Sequence, residues 1–363
     1  NDLSYSKDTS TGELTLTASN FEIRGQEDVA HNIIISGRSN NVYGGKLNDT
    51  IKEAGNSVCS TNNIFAGDGD DTIVLYGGNS KAYGEAGNDT LTSNVGDLYG
   101  GDGDDILNIN NNGNTHHGGS GNDIFNINSS YSRIYGEDGD DIFNIIKGGN
   151  NMIDGGAGTN TVTGTVGSNT TINVIGANSG SVSLTKGVEQ VVNINGIDYT
   201  MSTESTTATV IYSINDSGQI TFSMSSNQAI IRGDLNKKHN VSIKAGITFY
   251  GGNKGDIIDA HGATIYLGSG NNTLKAFGTT IYGSSGNDTV SITDGSFFYG
   301  GTGITNLTAR SLNYIESVSG TMNLSLQGDN NTVYGTGGNN TLVSNTGPNS
   351  YICGFGDADN AQA

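Results

Sequence analysis

The sequence predicts an all-β chain: a right-handed parallel β-roll or β-solenoid with coils of 16–18 residues and a strand-rich insert. Three observations carry that expectation. Glycine supplies 57 of 363 residues, proline one, and only 33% of the chain is hydrophobic, which argues against a helical globule, since each glycine inside a helix costs about 1 kcal/mol. A short phrase returns in register, and apolar residues return with it at fixed intervals. Away from that phrase, Thr, Ser, Val and Ile alternate with period two, as in Thr170–Ile175 and Thr221–Met224, the pattern of a half-buried strand.

The phrase reads VYGGKLNDTI from Val42, IFAGDGDDTI from Ile64, AYGEAGNDTL from Ala82, LYGGDGDDIL from Leu98, HHGGSGNDIF from His116 and IYGEDGDDIF from Ile134, then decays to IDGGAGTNTV from Ile153. Its anchoring acids, Asp49, Asp71, Asp89, Asp105, Asp123 and Asp141, follow one another at 22, 18, 16, 18 and 18 residues. A second block runs FYGGNKGDII, IYLGSGNNTL, IYGSSGNDTV, FYGGTGITNL and VYGTGGNNTL, and its anchoring position reads Asp256, Asn272, Asp288, Thr305 and Asn340. A longer period lies above the short one. LSYSKDTSTGELTLTASNFEIRG from Leu3 matches IYSINDSGQITFSMSSNQAIIRG from Ile211, His31-Asn32 matches His239-Asn240, and Tyr43-Gly44-Gly45 matches Tyr250-Gly251-Gly252, an offset of about 207 residues.

Four stretches are expected: a strand-rich entry over 1–41, a metal-binding roll over 42–164, a strand-rich insert or continuing coil over 165–248 whose residues 211–248 duplicate 3–41, and an acid-depleted second roll over 249–363. The duplication implies a module of residues 1 to about 208 and a shortened second copy. A chain opening on Asn1-Asp2 is read as part of a longer parent with more copies.

A repeat of this length holds two short strands and two turns, one coil of a solenoid whose coils stack about 4.8 Å apart. The apolar residues two after each anchor (Ile51, Ile73, Leu91, Leu107, Phe125, Phe143) and seven before it (Val42, Ile64, Leu98, Ile134) are expected to point inward. That interior is thin, so the turns must contribute. Gly-x-Gly-x-Asp lets the backbone take positive φ and aim carbonyls at one point. Hard oxygen ligands in a flexible cage of roughly six to eight suit Ca²⁺ rather than Zn²⁺ or Mg²⁺. Without an ion, unit charges about 4.8 Å apart repel by several kcal/mol even at an effective dielectric constant near 20. The predicted metal residues of the first block are Asp49, Gly67, Asp68, Asp70, Asp71, Gly87, Asp89, Gly101, Asp102, Gly103, Asp104, Asp105, Gly119, Gly121, Asp123, Asp138, Gly139, Asp140 and Asp141; the second block adds Asp256 and Asp288.

GGDGDDIL at Gly100 and GGSGNDIF at Gly118 resemble the glycine- and aspartate-rich nonapeptide of the repeats-in-toxin (RTX) family, the haemolysin-type calcium-binding repeat of secreted bacterial proteins. The resemblance covers 42–160 well and 249–342 weakly. It implies several Ca²⁺ ions, mainly in 42–160, export by a type I secretion system, and folding triggered by extracellular calcium. Family members often carry two motifs per coil. Here one turn per coil carries it, so one calcium row of about five sites is expected, with calcium sparse or absent in the second block.

Composition and motifs narrow the function. With 16 Lys+Arg against 36 Asp+Glu, a net charge of −20 repels nucleic acid and anionic membranes. No apolar run approaches the roughly 18 residues of a membrane span. The in-register pairs Asp70-Asp71, Asp104-Asp105 and Asp140-Asp141 argue against a catalytic carboxylate pair, which is normally singular, and no Gly-x-Ser-x-Gly, HExxH or phosphate-binding loop occurs. No catalytic residue and no enzyme activity is therefore expected. The aromatic column six before each anchor (Tyr43, Phe65, Tyr83, Tyr99, Tyr135) reads as an outward stacked ladder, or else a contact stripe for subunits or glycans. His116 reads as a hydrogen-bonded histidine, and Cys59 and Cys353 as unrelated thiols. The expectation is a secreted, extracellular structural module of a bacterial surface-layer subunit or adhesin, with copies of itself or other surface components as partners. The alternative is the repeat tail of a secreted toxin, hydrolase or epimerase whose catalytic domain lies elsewhere.

Overall fold

The structure, a computed structural model, describes residues 3–55, 61–158, 160–164, 170–175, 179–317, 319–353 and 360–361. Among them there is no helix: the chain is a run of short strands joined by turns and stacked coil on coil, a parallel β-solenoid. Its contacts divide it into two units, Asn1–Val182 with Val192–Gly196, and Ser183–Val191 with Ile197–Ala363.

In the first unit each coil gives one strand to each of two stacks. One stack holds Leu14–Thr17, Asn32–Ser36, Thr50–Glu53, Thr72–Leu75, Thr90–Ser93, Ile106–Ile109, Ile124–Asn128, Ile142–Lys147 and Thr161–Gly164, all parallel. The other runs from Glu22–Arg24 through Asn41–Gly45 and Asn63–Asp68 to Met152–Asp154, with like residues in register. An antiparallel hairpin, Ser4–Lys7 with Leu14–Thr17, opens the first stack.

Strand alternation puts every second residue inside. Ile51, Ile73, Leu91, Leu107, Phe125 and Phe143 line up on one wall and Val42, Ile64, Leu98 and Ile134 on the other, all fully buried. Removing one such side chain from water contributes about 1.5–3 kcal/mol. Phe125 and Phe143 stack with ring centroids 4.7 Å apart. On the outside, Tyr43, Phe65, Tyr83, Tyr99, His117 and Tyr135 form one stacked column at centroid spacings of 4.7–5.1 Å. Rings stacked this way present edges rather than faces to solvent, which favours the ladder over a sugar-stacking surface.

His116 departs from its expectation. It replaces an inward apolar residue, is fully buried, and neither ring nitrogen has a hydrogen-bond partner; burial pushes its pKa down to about 3, so the ring is neutral and serves as filler. Cys353 is an exposed free thiol, and Cys59 lies outside the described residues.

The second unit repeats the scheme. Ile220–Ser226, Asn240–Ile243, Ile257–His261, Thr273–Phe277, Asp288–Thr293, Ile304–Ala309, Thr321–Leu326 and Asn340–Asn345 form one parallel stack. Ala229–Gly233 through Tyr351–Cys353 form the other. An antiparallel hairpin, Thr207–Ile214 with Ile220–Ser226, opens the first of these stacks, and Ile197–Ser202 pairs antiparallel with Ala229–Gly233. Tyr250, Tyr266, Tyr282 and Tyr299 continue the aromatic theme at 4.5–5.1 Å.

Candidate metal centre

Each anchoring aspartate of the first unit sits in the turn one residue before a first-stack strand, so coil stacking brings Asp49, Asp71, Asp89, Asp105, Asp123 and Asp141 into one column, each at most 2% exposed. Within it, the backbone N–H of one aspartate donates to Oδ1 of the next: Asp49 to Asp71 at 2.6 Å, Asp71 to Asp89 and Asp89 to Asp105 at 2.7 Å, Asp105 to Asp123 at 2.8 Å, Asp123 to Asp141 at 2.9 Å. Asn160 closes the column, accepting from Asp141 N–H at 2.8 Å. The turn that permits this stacking needs glycine where the backbone takes positive φ, as at Gly101 (126°) and Gly103 (133°), since a Cβ there meets a carbonyl of the coil before. Glu85 and Glu137 take φ of 79° and 77° at positions paired with Gly101 and Gly119.

The other oxygen, Oδ2, has no hydrogen-bond partner in any of the six. Burial, with carboxylates of the same or adjoining turns adding to it, pushes Asp71, Asp89 and Asp105 up to about 7, Asp123 to about 8 and Asp141 to about 6, against the pull of the backbone N–H groups. Oδ2 of Asp89, Asp105, Asp123 and Asp141 lies over Gly84, Gly100, Gly118 and Gly136 of its own coil, where the carbonyl oxygen of Gly100, Gly118, Gly136 or Gly155 of the next coil also approaches. Ala66 holds this position in the coil of Asp71.

Two unprotonated oxygens facing each other in a buried cradle require a cation or a proton. The asparagine coils show the neutral solution. Asn160 Nδ2 donates to Gly155 O at 2.7 Å, Asn272 Nδ2 to Gly268 O and Gly270 O at 3.0 and 2.8 Å, and Asn340 Nδ2 to Gly337 O at 3.0 Å. Where Asp stands, no amide is available to hold the turn carbonyls. Among the described residues no three His, Cys, Asp or Glu side chains converge on a point, so an ion held here would need backbone oxygens beside the carboxylate. Carboxylate plus carbonyl oxygen is a calcium donor set, and the residues fit that ion.

The remaining predicted metal residues lie outside this buried column. Asp70, Asp104 and Asp140 are exposed and alternate with Asn48, Asn88 and Asn122; the side-chain oxygens of Asn48, Asp70, Asn88, Asp104 and Asn122 each accept the backbone N–H of the next coil at 2.7–3.0 Å. The alternation, overlooked in reading the repeats although plain in them, keeps like charges two coils apart, about 10 Å, where salt screens them. Asp68, Asp102 and Asp138 are exposed at strand ends, and Ser120 Oγ donates to Asp102 Oδ1 at 2.6 Å. Gly67, Gly101 and Gly119, and Gly87, Gly103, Gly121 and Gly139, supply the positive-φ turn positions.

In the second unit the column is His239, Asp256, Asn272, Asp288, Thr305, Met322 and Asn340. Both oxygens of its two acids are bonded: Asp256 Oδ2 accepts Gly252 N–H at 2.8 Å, and Asp288 Oδ2 accepts Ser284 Oγ at 3.2 Å. Asp256 and Asp288 therefore lack the bare oxygen of the first block.

A stacked solenoid with one column of oxygen-lined turns is a repeat protein whose turns offer the same oxygen donors coil after coil. The family model for the RTX calcium-binding nonapeptide repeat (4 copies) matches residues 62–97, 117–144, 147–170, 279–295 and 326–350. These stretches are RTX calcium-binding repeats. They contain Asp71, Asp89, Asp123, Asp141 and Asp288, while Asp49, Asp105 and Asp256 lie outside them. No curated protein and no solved structure matches the chain.

Proposed function

We propose that this chain is a secreted, calcium-dependent structural module of a bacterial cell-surface protein, a surface-layer subunit or adhesin, whose first unit is locked by one row of Ca²⁺ ions along Asp49 to Asp141. The observation that carries the reading is the set of six buried carboxylate oxygens without a hydrogen-bond donor, in a column whose asparagine positions need none. Before calcium arrives, like charges along the column oppose stacking and leave the coils only marginally stable, which suits passage through a secretion channel. Millimolar calcium outside the cell then neutralises the column and coil formation follows, so binding energy becomes folding energy. The function is mechanical rather than catalytic. The duplicated module supports a repeating surface component that meets copies of itself or other surface components.

A calcium titration of the purified chain tests this, followed by far-UV circular dichroism and calorimetry. The reading expects a cooperative gain of β signal with several ions taken up. A chain already folded in excess chelator that takes up no calcium overturns it. Surface location is tested by protease shaving of the producing cells, which should release the chain's peptides; their recovery only from the cytoplasm excludes a surface component.

A further inference from the structure

The duplication places the same seat in both units, and among the described residues only one is filled. In the second unit, strand Ile197–Ser202 lies antiparallel on Ala229–Gly233, with Tyr199 opposite Gly233 and Met201 opposite Ile231. Tyr199 is fully buried and packs edge-on against Phe222 and His239, at centroid distances of 5.0 and 5.5 Å. Beneath it Val210, Tyr212, Ile231 and His239 are all fully buried.

By strand register the matching positions in the first unit are Leu3, Tyr5, Ile23 and His31, and all of them are uncovered to some degree: Leu3 is 51% exposed and Tyr5 74%, the most exposed large hydrophobic residue among those described. The frame is the same. Tyr5 opposes Leu16 as Tyr212 opposes Phe222, and a Cβ on Gly25 meets the His31 ring as one on Gly233 meets His239. Arg24 covers Tyr43 at 4.1 Å as Arg232 covers Tyr250 at 5.1 Å. Gly25 N–H donates to Tyr43 O and Asn41 N–H to Phe21 O, so alternation turns the backbone groups of Glu22 and Arg24 the other way, toward the open edge. The equivalent edge, at Ile230 and Arg232, is where Ile197–Ser202 pairs.

We infer that the open face formed by Leu3, Tyr5, Glu22–Arg24 and His31 is a docking seat for the Ile197–Ser202 strand of a preceding copy of the module, so that successive modules join by strand addition. The occupant follows from the filled copy: the sequence that fits this frame is already in place once in the chain. A second molecule is the poorer occupant because its own strand is engaged on Ala229–Gly233. Tyr supplies the apolar anchor, and main-chain pairing to Glu22 and Arg24 fixes the register.

A synthetic peptide of residues 195–206, added to the calcium-loaded full chain, stands in for the preceding module, and hydrogen exchange reads the site. The expected result is exchange of the Glu22 and Arg24 amides slowed at least about tenfold at saturating peptide, no change at Ile230 and Arg232, and loss of the effect with the peptide Tyr199→Ser. Absence of protection at Glu22 and Arg24 overturns the inference, as does protection that survives Tyr199→Ser. Protection already present in the chain alone, together with dimers in sedimentation, overturns it in favour of a second molecule. Calcium uptake measured in the same sample does not depend on the seat, so failure here is distinct from failure of the calcium reading.

Discussion

Two donors of His31, its backbone N–H and its ring Nδ1, meet a single oxygen of Asp49, Oδ1, at 2.6 and 3.0 Å; His239 meets Asp256 Oδ1 in the same way, at 2.9 Å for both. Each histidine stands where one more aspartate of the column would stand, so it ends the row and gives the first carboxylate a ring donor. His239→Ala removes a fully buried ring along with that bond and should destabilise the calcium-loaded chain by about 3 kcal/mol; His31→Ala, on a partly exposed ring, should cost nearer 1 kcal/mol. Urea unfolding of both variants measures the difference, and equal costs would mean that burial of His239 is not what matters.

Asp105 serves two roles that substitution separates. Its Oδ1 accepts the Asp89 N–H at 2.7 Å, and its Oδ2 is bare. Asp105→Asn keeps the acceptor and supplies an amide for the turn carbonyl, as Asn160 does, so the calcium-free chain should melt higher than wild type while calorimetry counts one or two fewer ions. Asp105→Ala strands a buried N–H and should cost about 1–3 kcal/mol with or without calcium. Loss of stability in calcium-free Asp105→Asn would contradict the charge account of the column.

The coil period, the inward columns and the six aspartates were legible in the sequence because stacking turns a linear interval into a spatial column. His31 and His239 were visible as a matched pair, yet their place at the head of each column emerges only from register: Asn32 pairs with Thr50 and Asn240 with Ile257. The filler role of His116 was hidden because a histidine in a repeat looks polar whichever way the strand turns it. Nor did spacing tell Asp288 from Asp123; the difference is Ser284, whose hydroxyl reaches Asp288 Oδ2.

Glu53 gave no signal at all. It falls at an inward strand position, only 2% exposed, and its carboxylate accepts Asn62 Nδ2 at 2.8 Å, Ser80 Oγ at 2.6 Å, and the N–H groups of Tyr76 and Gly77 at 2.8 and 2.6 Å. It ties the turn at 76–77 to Asn62 and Ser80, which are themselves joined by Asn62 N–H donating to Ser80 Oγ at 3.0 Å, and it bonds to none of the column aspartates. Glu53→Ala should therefore destabilise by about 3–5 kcal/mol while leaving calcium stoichiometry unchanged. A variant that binds fewer ions would connect the two edges of the coil in a way the hydrogen bonds do not.

The pH dependence of the calcium-free chain follows from the same carboxylates. Burial raises Asp71, Asp89, Asp105, Asp123 and Asp141 from 3.8 to between about 6 and about 8. With folded values above unfolded ones, the folded state holds more protons between pH of about 4 and 8, so the stability they contribute is present below about pH 4 and is lost as pH rises through their folded values. His116 works the other way: its pKa falls from 6.5 to about 3, so stability is lost as pH falls below about 6.5. Five groups outweigh one, and the metal-free chain should melt higher at pH 5 than at pH 8. Calcium reverses the trend, because it competes with protons for the same oxygens: affinity should fall below about pH 6, and adding calcium at pH 7 should release protons, seen as a binding enthalpy that changes with the ionisation enthalpy of the buffer. Metal-free melting that is flat or rises between pH 5 and 8, together with calcium binding that releases no proton, would show that the buried column is not where the ions bind.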